Sequence, residues 1–197
     1  PLAQPIQQLH ISEIPREWHK KGDHHLPPDI ATAKSLLAAA LQGQDMALSS
    51  EAGMPAVADP GSSLVRAAHI LGVPVVPLVG PSSIVLALAA SGLNGQGFVF
   101  HGYLPQDVQA RAQRLQELEK AAHKTGQSQW WIETPYRNAA TLQTMLKVLQ
   151  PNTLVSIASG LTLEQMQINT NTVAMLRQQN CQYGEKLPAV FGLGKGA

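Results

Sequence analysis

In the first half of the chain one order of sequence textures occurs twice: a short apolar run, a loop rich in Gly, Pro and Ser, then apolar residues at helical spacing. Met46 to Leu48 leads through the loop beginning at Ser49 into a predicted helix from about Ser63 to Leu71, whose Leu64, Ala67, Ala68 and Leu71 share one face and which Gly72 ends. Val73 to Val79, β-branched but interrupted by Pro74 and Pro77, leads through Gly80-Pro81-Ser82-Ser83 into the apolar helix Ile84 to Ser91. Strand, loop, helix, repeated, predicts parallel α/β structure, because a crossover helix is what joins neighbouring parallel strands. The first of these loops is long for a compact domain, and long ordered loops are usually functional.

Ahead of this repeat, residues 1–28 carry Pro1, Pro5, Pro15, Pro27 and Pro28 and show no sustained period beyond a short predicted strand at Ile6 to Ile11. Asp29 is a good N-cap for a helix whose Ile30, Ala33, Leu37, Ala40 and Leu41 recur at helical spacing before Gly43. Gly92 to Gly97, "GLNGQG", is the most flexible stretch by composition and marks the predicted boundary between an N-terminal parallel α/β domain, 1–96, and a C-terminal mixed-sheet α/β domain, 97–197. In the second part strands are predicted at Phe98 to Tyr103, Gln129 to Glu133, Leu154 to Ser159, near Gln165 to Ile168 and at Ala189 to Leu193, and helices at Gln106 to Lys124, Ala139 to Leu149 and Val173 to Gln179.

Composition narrows the classes. Hydrophobic residues at 44% and charged residues at 14% are those of a globular core, and no apolar run approaches the roughly 20 residues of a membrane-spanning helix. A formal charge of +1 gives no strong overall field toward nucleic acid or membrane, although a local basic rim can still form. The single cysteine, Cys181, excludes an internal disulfide, and no secretory leader pattern opens the sequence, so a cytoplasmic location is expected. Cys181 itself reads as a packed side chain. His24 and His25 have no partner at metal-ligand spacing, so no metal is predicted. The terminal "GLGKGA" lacks the Ser or Thr and the helix of a phosphate loop.

In a parallel sheet ligands collect beyond the carboxyl ends of the strands. Gly53 and the turn Asp59-Pro60-Gly61 can there aim main-chain groups at a ligand, while Ser82 and Ser83 offer hydroxyls and amides at a helix start. Glu133 and Arg137 flank a proline turn after a strand; they can position a substrate hydroxyl or phosphate, with Glu133 as candidate general base, or simply hold the turn. Trp130 and Trp131 fall on opposite faces of a strand, one predicted core and the other surface or cleft. Arg111 and Arg114 are expected on a solvated helix face.

Taken together, Ser50-Glu51-Ala52-Gly53-Met54-Pro55, Asp59-Pro60-Gly61, Gly80-Pro81-Ser82 and Gly102-Tyr103-Leu104-Pro105 closely resemble the tetrapyrrole (corrin/porphyrin) methylase superfamily. Within it they resemble the branch of small-subunit ribosomal RNA cytidine 2′-O-methyltransferases, whose pattern runs Ser-Asp-Ala-Gly-Thr-Pro, Asp-Pro-Gly, Gly-Pro-Ser and Gly-Phe-Leu-Pro. Glu133-Thr134-Pro135-Tyr136-Arg137 is similar to that branch's Glu-Ser-Pro-His-Arg, and Lys186 to Phe191 to its closing strand. The strong match spans about Asp45 to Pro105. Glu51, Met54 and Tyr136 depart from the pattern. The superfamily's opening strand and Pro-x-Pro-x-Gly-like loop are not found here, so the resemblance implies an N-terminal part that is incomplete, with that segment either before Pro1 or lacking.

The resemblance implies two α/β domains with S-adenosylmethionine in a cleft between them, and a homodimer. It places the methionine end of the cofactor on Ser50, Glu51, Ala52, Gly53 and Pro55 with Ser82 and Ser83 nearby, and the adenosine near Tyr136, Leu161 and Ala189. The implied activity is methyl transfer to ribosomal RNA ribose. Methylation of a tetrapyrrole or another small molecule is the alternative within the same fold, and a non-catalytic cofactor-binding or interaction protein the alternative outside it.

Overall fold

A computed structural model describes Pro5, residues 8–15, Trp18, residues 29–179 and residues 187–196. The predicted packing of Cys181, the readings of His24 and His25 and the first residues of the Ile6 to Ile11 strand lie outside these residues. The chain divides into two compact units, Pro1–Pro81 and Ser82–Ala197.

The first unit is built on three helices among its described residues: α1 (Ile30–Leu36), α2 (Ala38–Leu41) and α3 (Ser62–Ile70). Asp29 caps α1 as predicted, its carboxylate accepting from the amides of Ala31 and Thr32 and from the Thr32 hydroxyl, bonds that hold the carboxyl below its ordinary 3.8. Ala33, Leu37, Ala67 and Ala68 form the core, with Trp18, Ile30, Leu64, Leu71 and Val73 packed around it. Small side chains at the centre let α1 and α3 approach closely. The strands predicted at Ile6 to Ile11, Met46 to Leu48 and Val73 to Val79 are corrected: their described residues join no hydrogen-bonded ladder. A strand exists only with a partner, and Pro74 and Pro77 strip the last segment of two donors. Its Val76, Leu78 and Val79 side chains stand 76%, 77% and 107% exposed.

The second unit is a five-stranded mixed sheet, β1 (Phe98–Tyr103), β2 (Ser128–Glu133), β3 (Leu154–Ser159), β4 (Gln167–Thr172) and β5 (Ala189–Gly194), in the order β1-β2-β5-β3-β4. Only β1 and β2 pair in parallel; the other pairs are antiparallel. The helices are α4 (Ser83–Ser91), α5 (Val108–Thr125), α6 (Pro135–Val148) and α7 (Val173–Gln179). Asp107 caps α5 through the Ala110 amide, and Gly126, at φ 73°, ends it in the left-handed conformation that glycine adopts without strain.

Helices cover both sheet faces, so β2 is buried on both and the two tryptophans share one fate. Trp131 sits in the main core with Leu115, Leu118, Leu142, Met145 and Leu176, and its ring stacks on that of Phe191, its partner across the ladder, at 5.9 Å. Trp130 packs on the other face against Ala87 and Leu88 of α4. Both are 0% exposed, which corrects the expectation that one faced solvent or a cleft. Gly192 lies opposite Trp130 in the ladder, where an added Cβ would sit 2.7 Å from the indole. Arg111 is likewise corrected: it is 4% exposed, donating from Nε to the Thr144 hydroxyl and from Nη1 to the Gln106 carbonyl. Arg114 does stay at the surface, paired with Glu117. No helix among the described residues is long and apolar enough to cross a membrane.

Candidate active site at the exits of two parallel strands

Because β1 and β2 run parallel as neighbours, their carboxyl ends open at one edge of the sheet. The register slips between Phe100 and Tyr103, and Gly102 takes φ +67° there, a bulge that re-aims Tyr103 out of the sheet. At the next strand end Thr134 is the N-cap residue of α6 and Pro135 fills its first position, where a missing N–H costs nothing. Between the two exits lies a cavity of about 510 Å³, lined by Tyr103 to Gln106 on one side and Thr134, Tyr136 and Arg137 on the other. That size lies within the range of small-ligand sites.

Arg137 organises this cavity. Its Nη2 donates to the Leu104 carbonyl at 2.7 Å, the Pro105 carbonyl at 3.2 Å and Glu133 Oε1 at 3.1 Å, while Nε lies 3.0 Å from Glu133 Oε2. One guanidinium therefore ties the loop after β1 to the end of β2. Nη1 takes no partner among the described residues and is the group left to meet a ligand. The Glu133 side chain is fully buried, and Thr141 donates to its Oε1 at 3.1 Å. Burial raises its carboxyl above the ordinary 4.5, while Arg137, Thr141 and Arg111 pull it back. With Oε1 hydrogen-bonded and Oε2 in ion-pair contact with Arg137 Nε, though not hydrogen-bonded, Glu133 is placed to hold Arg137. The Thr134 hydroxyl oxygen is buried without a hydrogen-bond partner at the cavity's edge. On β1, outside the cavity lining, His101 bonds Gln129 through Nε2 and Arg114 through Nδ1, and burial keeps its imidazole below its ordinary 6.5.

The long loop of the first unit is strained in a way its sequence only partly announces. Gly53 has φ +89°, and two alanines, Ala56 and Ala58, are left-handed at +64° and +60°. Ala56 N–H reaches Pro60 O and Val57 N–H reaches Met54 O, closing the turn, and Ser50 Oγ donates to Gly53 O. Glu51, Ala52 and Gly53 are exposed residues, and their amides have no partner among the described residues. Successive free amides in such a loop suit an anionic or carbonyl-bearing ligand.

Residues 9–176 match the family model of Tetrapyrrole (Corrin/Porphyrin) Methylases. The chain belongs to that family. Among its curated relatives, Ribosomal RNA small subunit methyltransferase I of Vibrio cholerae is 40% identical over 130 residues, 66% of this chain and 44% of that protein. The protein of the same name in Mesorhizobium japonicum is 40% identical over 141 residues, 72% and 47%, and that of Xylella fastidiosa 33% over 155 residues, 79% and 55%. The chain spans about half the length of the curated relatives it matches. Among solved structures, the methyltransferase CobJ superposes with a TM-score of 0.54 at 17% identity, covering 85% of this chain and 71% of that one, and so supports the fold.

The predicted residues fall in four places. Tyr136 and Arg137 line the cavity, Glu133 lies buried against Arg137, and Ala189 pairs with Glu133 across the β2–β5 ladder. Leu161 packs with Trp130, on the face opposite Trp131. Ser50, Glu51, Ala52, Gly53 and Pro55 form the strained loop of the first unit; Ser82 is nearly buried and Ser83 exposed at the start of α4 in the second. Sequence reasoning missed Tyr103 and Thr134 as cavity residues. The glycine before Tyr103 was the available signal, since a glycine inside a strand marks a bulge.

Proposed function

We propose that this chain is an S-adenosylmethionine-dependent methyltransferase whose acceptor is a ribose hydroxyl of small-subunit ribosomal RNA. The observation that carries the reading is the family match across residues 9–176, which contains both the loop with free amides and the cavity at the strand exits. The names of the relatives support the RNA acceptor. When bound, the cofactor supplies a methyl group already activated by its sulfonium, so little covalent help is asked of the protein. The chain's own residues bind and orient. The exposed amides of Glu51, Ala52 and Gly53 take the carboxylate end of the methionine moiety, with Ser50 and Pro55 shaping the turn. Arg137, held by Glu133, offers the acceptor strand its Nη1, which has no partner among the described residues; orientation is what methyl transfer gains most from.

The test is transfer of labelled methyl from S-adenosylmethionine to small-subunit particles, naked ribosomal RNA and a tetrapyrrole in parallel. Label in the RNA is expected. Label in the tetrapyrrole alone overturns the acceptor, and failure to bind S-adenosylhomocysteine at millimolar concentration overturns the methyltransferase reading itself. The reading includes a cytoplasmic homodimer, supported by the exposed apolar run at Val76, Leu78 and Val79, an unusual surface for a monomer. Sedimentation equilibrium that finds only monomer refutes the dimer.

A further inference from the structure

We propose that the cavity between the exits of β1 and β2 is a nucleobase subsite, in which one unstacked base of the RNA acceptor is held between the rings of Tyr103 and Tyr136. The inference rests on the RNA reading above and adds the atoms that grip a base.

Tyr103 and Tyr136 are 55% and 77% exposed, whereas Trp130, Trp131 and Phe191 of the same unit are 0% exposed. Phe98 of β1 is also 42% exposed, but Tyr103 and Tyr136 are the two rings that line the cavity, one from each strand exit. Neither sits on loose backbone. The bulge at Gly102 sets Tyr103, and Tyr136 lies in the first turn of α6, between Pro135 and the pinned Arg137. A fixed backbone limits the ordering that stacking a base demands, and aromatic faces stack any base. Recognition of single-stranded RNA works through such splayed bases, stacked on aromatic side chains and bonded at their edges.

Edge-bonding groups are present. The Thr134 hydroxyl, buried and unpartnered, can donate or accept, and Arg137 Nη1 donates. Both match a base edge that carries carbonyl and ring-nitrogen acceptors. A protein with so little net charge has few cations to spend on phosphates, so a stacked base supplies grip that does not depend on charge.

The experiment measures binding of a single-stranded RNA of about twelve nucleotides by fluorescence anisotropy, and of S-adenosylhomocysteine by calorimetry, for the wild type, Tyr103→Ala, Tyr136→Ala and the ring-preserving Tyr103→Phe and Tyr136→Phe. Each alanine variant should weaken RNA binding by about fivefold to 150-fold, the loss of one base–ring stack. The phenylalanine variants should stay within about twofold, because the stacking face is kept. The salt dependence of RNA binding should keep its slope, since no phosphate contact is removed. Cofactor-product binding should not change in the Tyr103 variants. RNA affinity untouched by both alanine variants overturns the subsite. Loss of S-adenosylhomocysteine binding with RNA binding intact also overturns it, by making the cavity an adenosine site. A wild-type protein that binds the cofactor product but no RNA refutes the RNA reading before any variant is made, and the two failures are thereby distinct.

Discussion

Replacing Arg137 with alanine removes the cation in direct contact with a fully buried carboxylate. In the native protein Glu133 shows no side-chain exposure and Arg137 only 11%, with Nε 3.0 Å and Nη2 3.1 Å from the two oxygens. Breaking a buried pair by deleting one partner costs about 3–5 kcal/mol, because the other charge is left desolvated. At neutral pH the variant should lose that much, a large share of the roughly 5–15 kcal/mol a domain has. The loss must also depend on pH. Burial raises the Glu133 carboxyl above 4.5, so folding favours its protonated form. Its stability contribution is most favourable below the unfolded value and declines as pH rises through the folded one. Without Arg137 the folded value climbs further. Below about pH 4 the glutamic acid is neutral in both states, and only the bonds to the Leu104 and Pro105 carbonyls are missing, about 1–3 kcal/mol. Urea unfolding of wild type and variant at pH 7 and pH 4 measures both quantities. A loss at pH 7 below about 1 kcal/mol, the range of an exposed ion pair, refutes the argument. So does an equal loss at the two pH values.

Gly192→Val should destabilise the second unit by at least the roughly 1–3 kcal/mol of an overpacked core, because its Cβ would meet the Trp130 ring at 2.7 Å, and urea unfolding followed by tryptophan fluorescence reads it. A Cβ at Gly53 would meet no atom within 4 Å, so the cost of Gly53→Val is chiefly the strain of φ +89°, about 1–3 kcal/mol; the stabilisation of the protein by S-adenosylhomocysteine in a thermal melt should disappear, and its survival shows the loop to be structural only. Glu119→Ala strands the Gln150 amide and the Thr153 hydroxyl, both of which donate to the buried Glu119 Oε1, and should cost about 1–3 kcal/mol in chemical denaturation.

What the sequence determined is what short-range physics controls. Asp29 and Asp107 are caps because a carboxylate one step ahead of a helix meets free amides, and Gly126 ends α5 because only glycine takes that left-handed turn cheaply. The limits of β3 and α7 follow in the same way, from β-branched alternation and from helical spacing. The motif residues of the long loop and the Glu133 to Arg137 turn also announced the family before any coordinates. Tertiary structure decided the rest, wherever the answer depends on which element lies opposite. Strand pattern alone could not say that Val73 to Val79 lacks a ladder, since pairing belongs to two segments. Nor could it say that α4 covers the second sheet face, which buries Trp130 along with Trp131. Arg111 looks solvated by charge, yet packing turns it inward onto Thr144. The cavity itself arises only because β1 and β2 lie side by side in parallel, carrying Tyr103 and Tyr136, far apart along the chain, to the rim of one pocket.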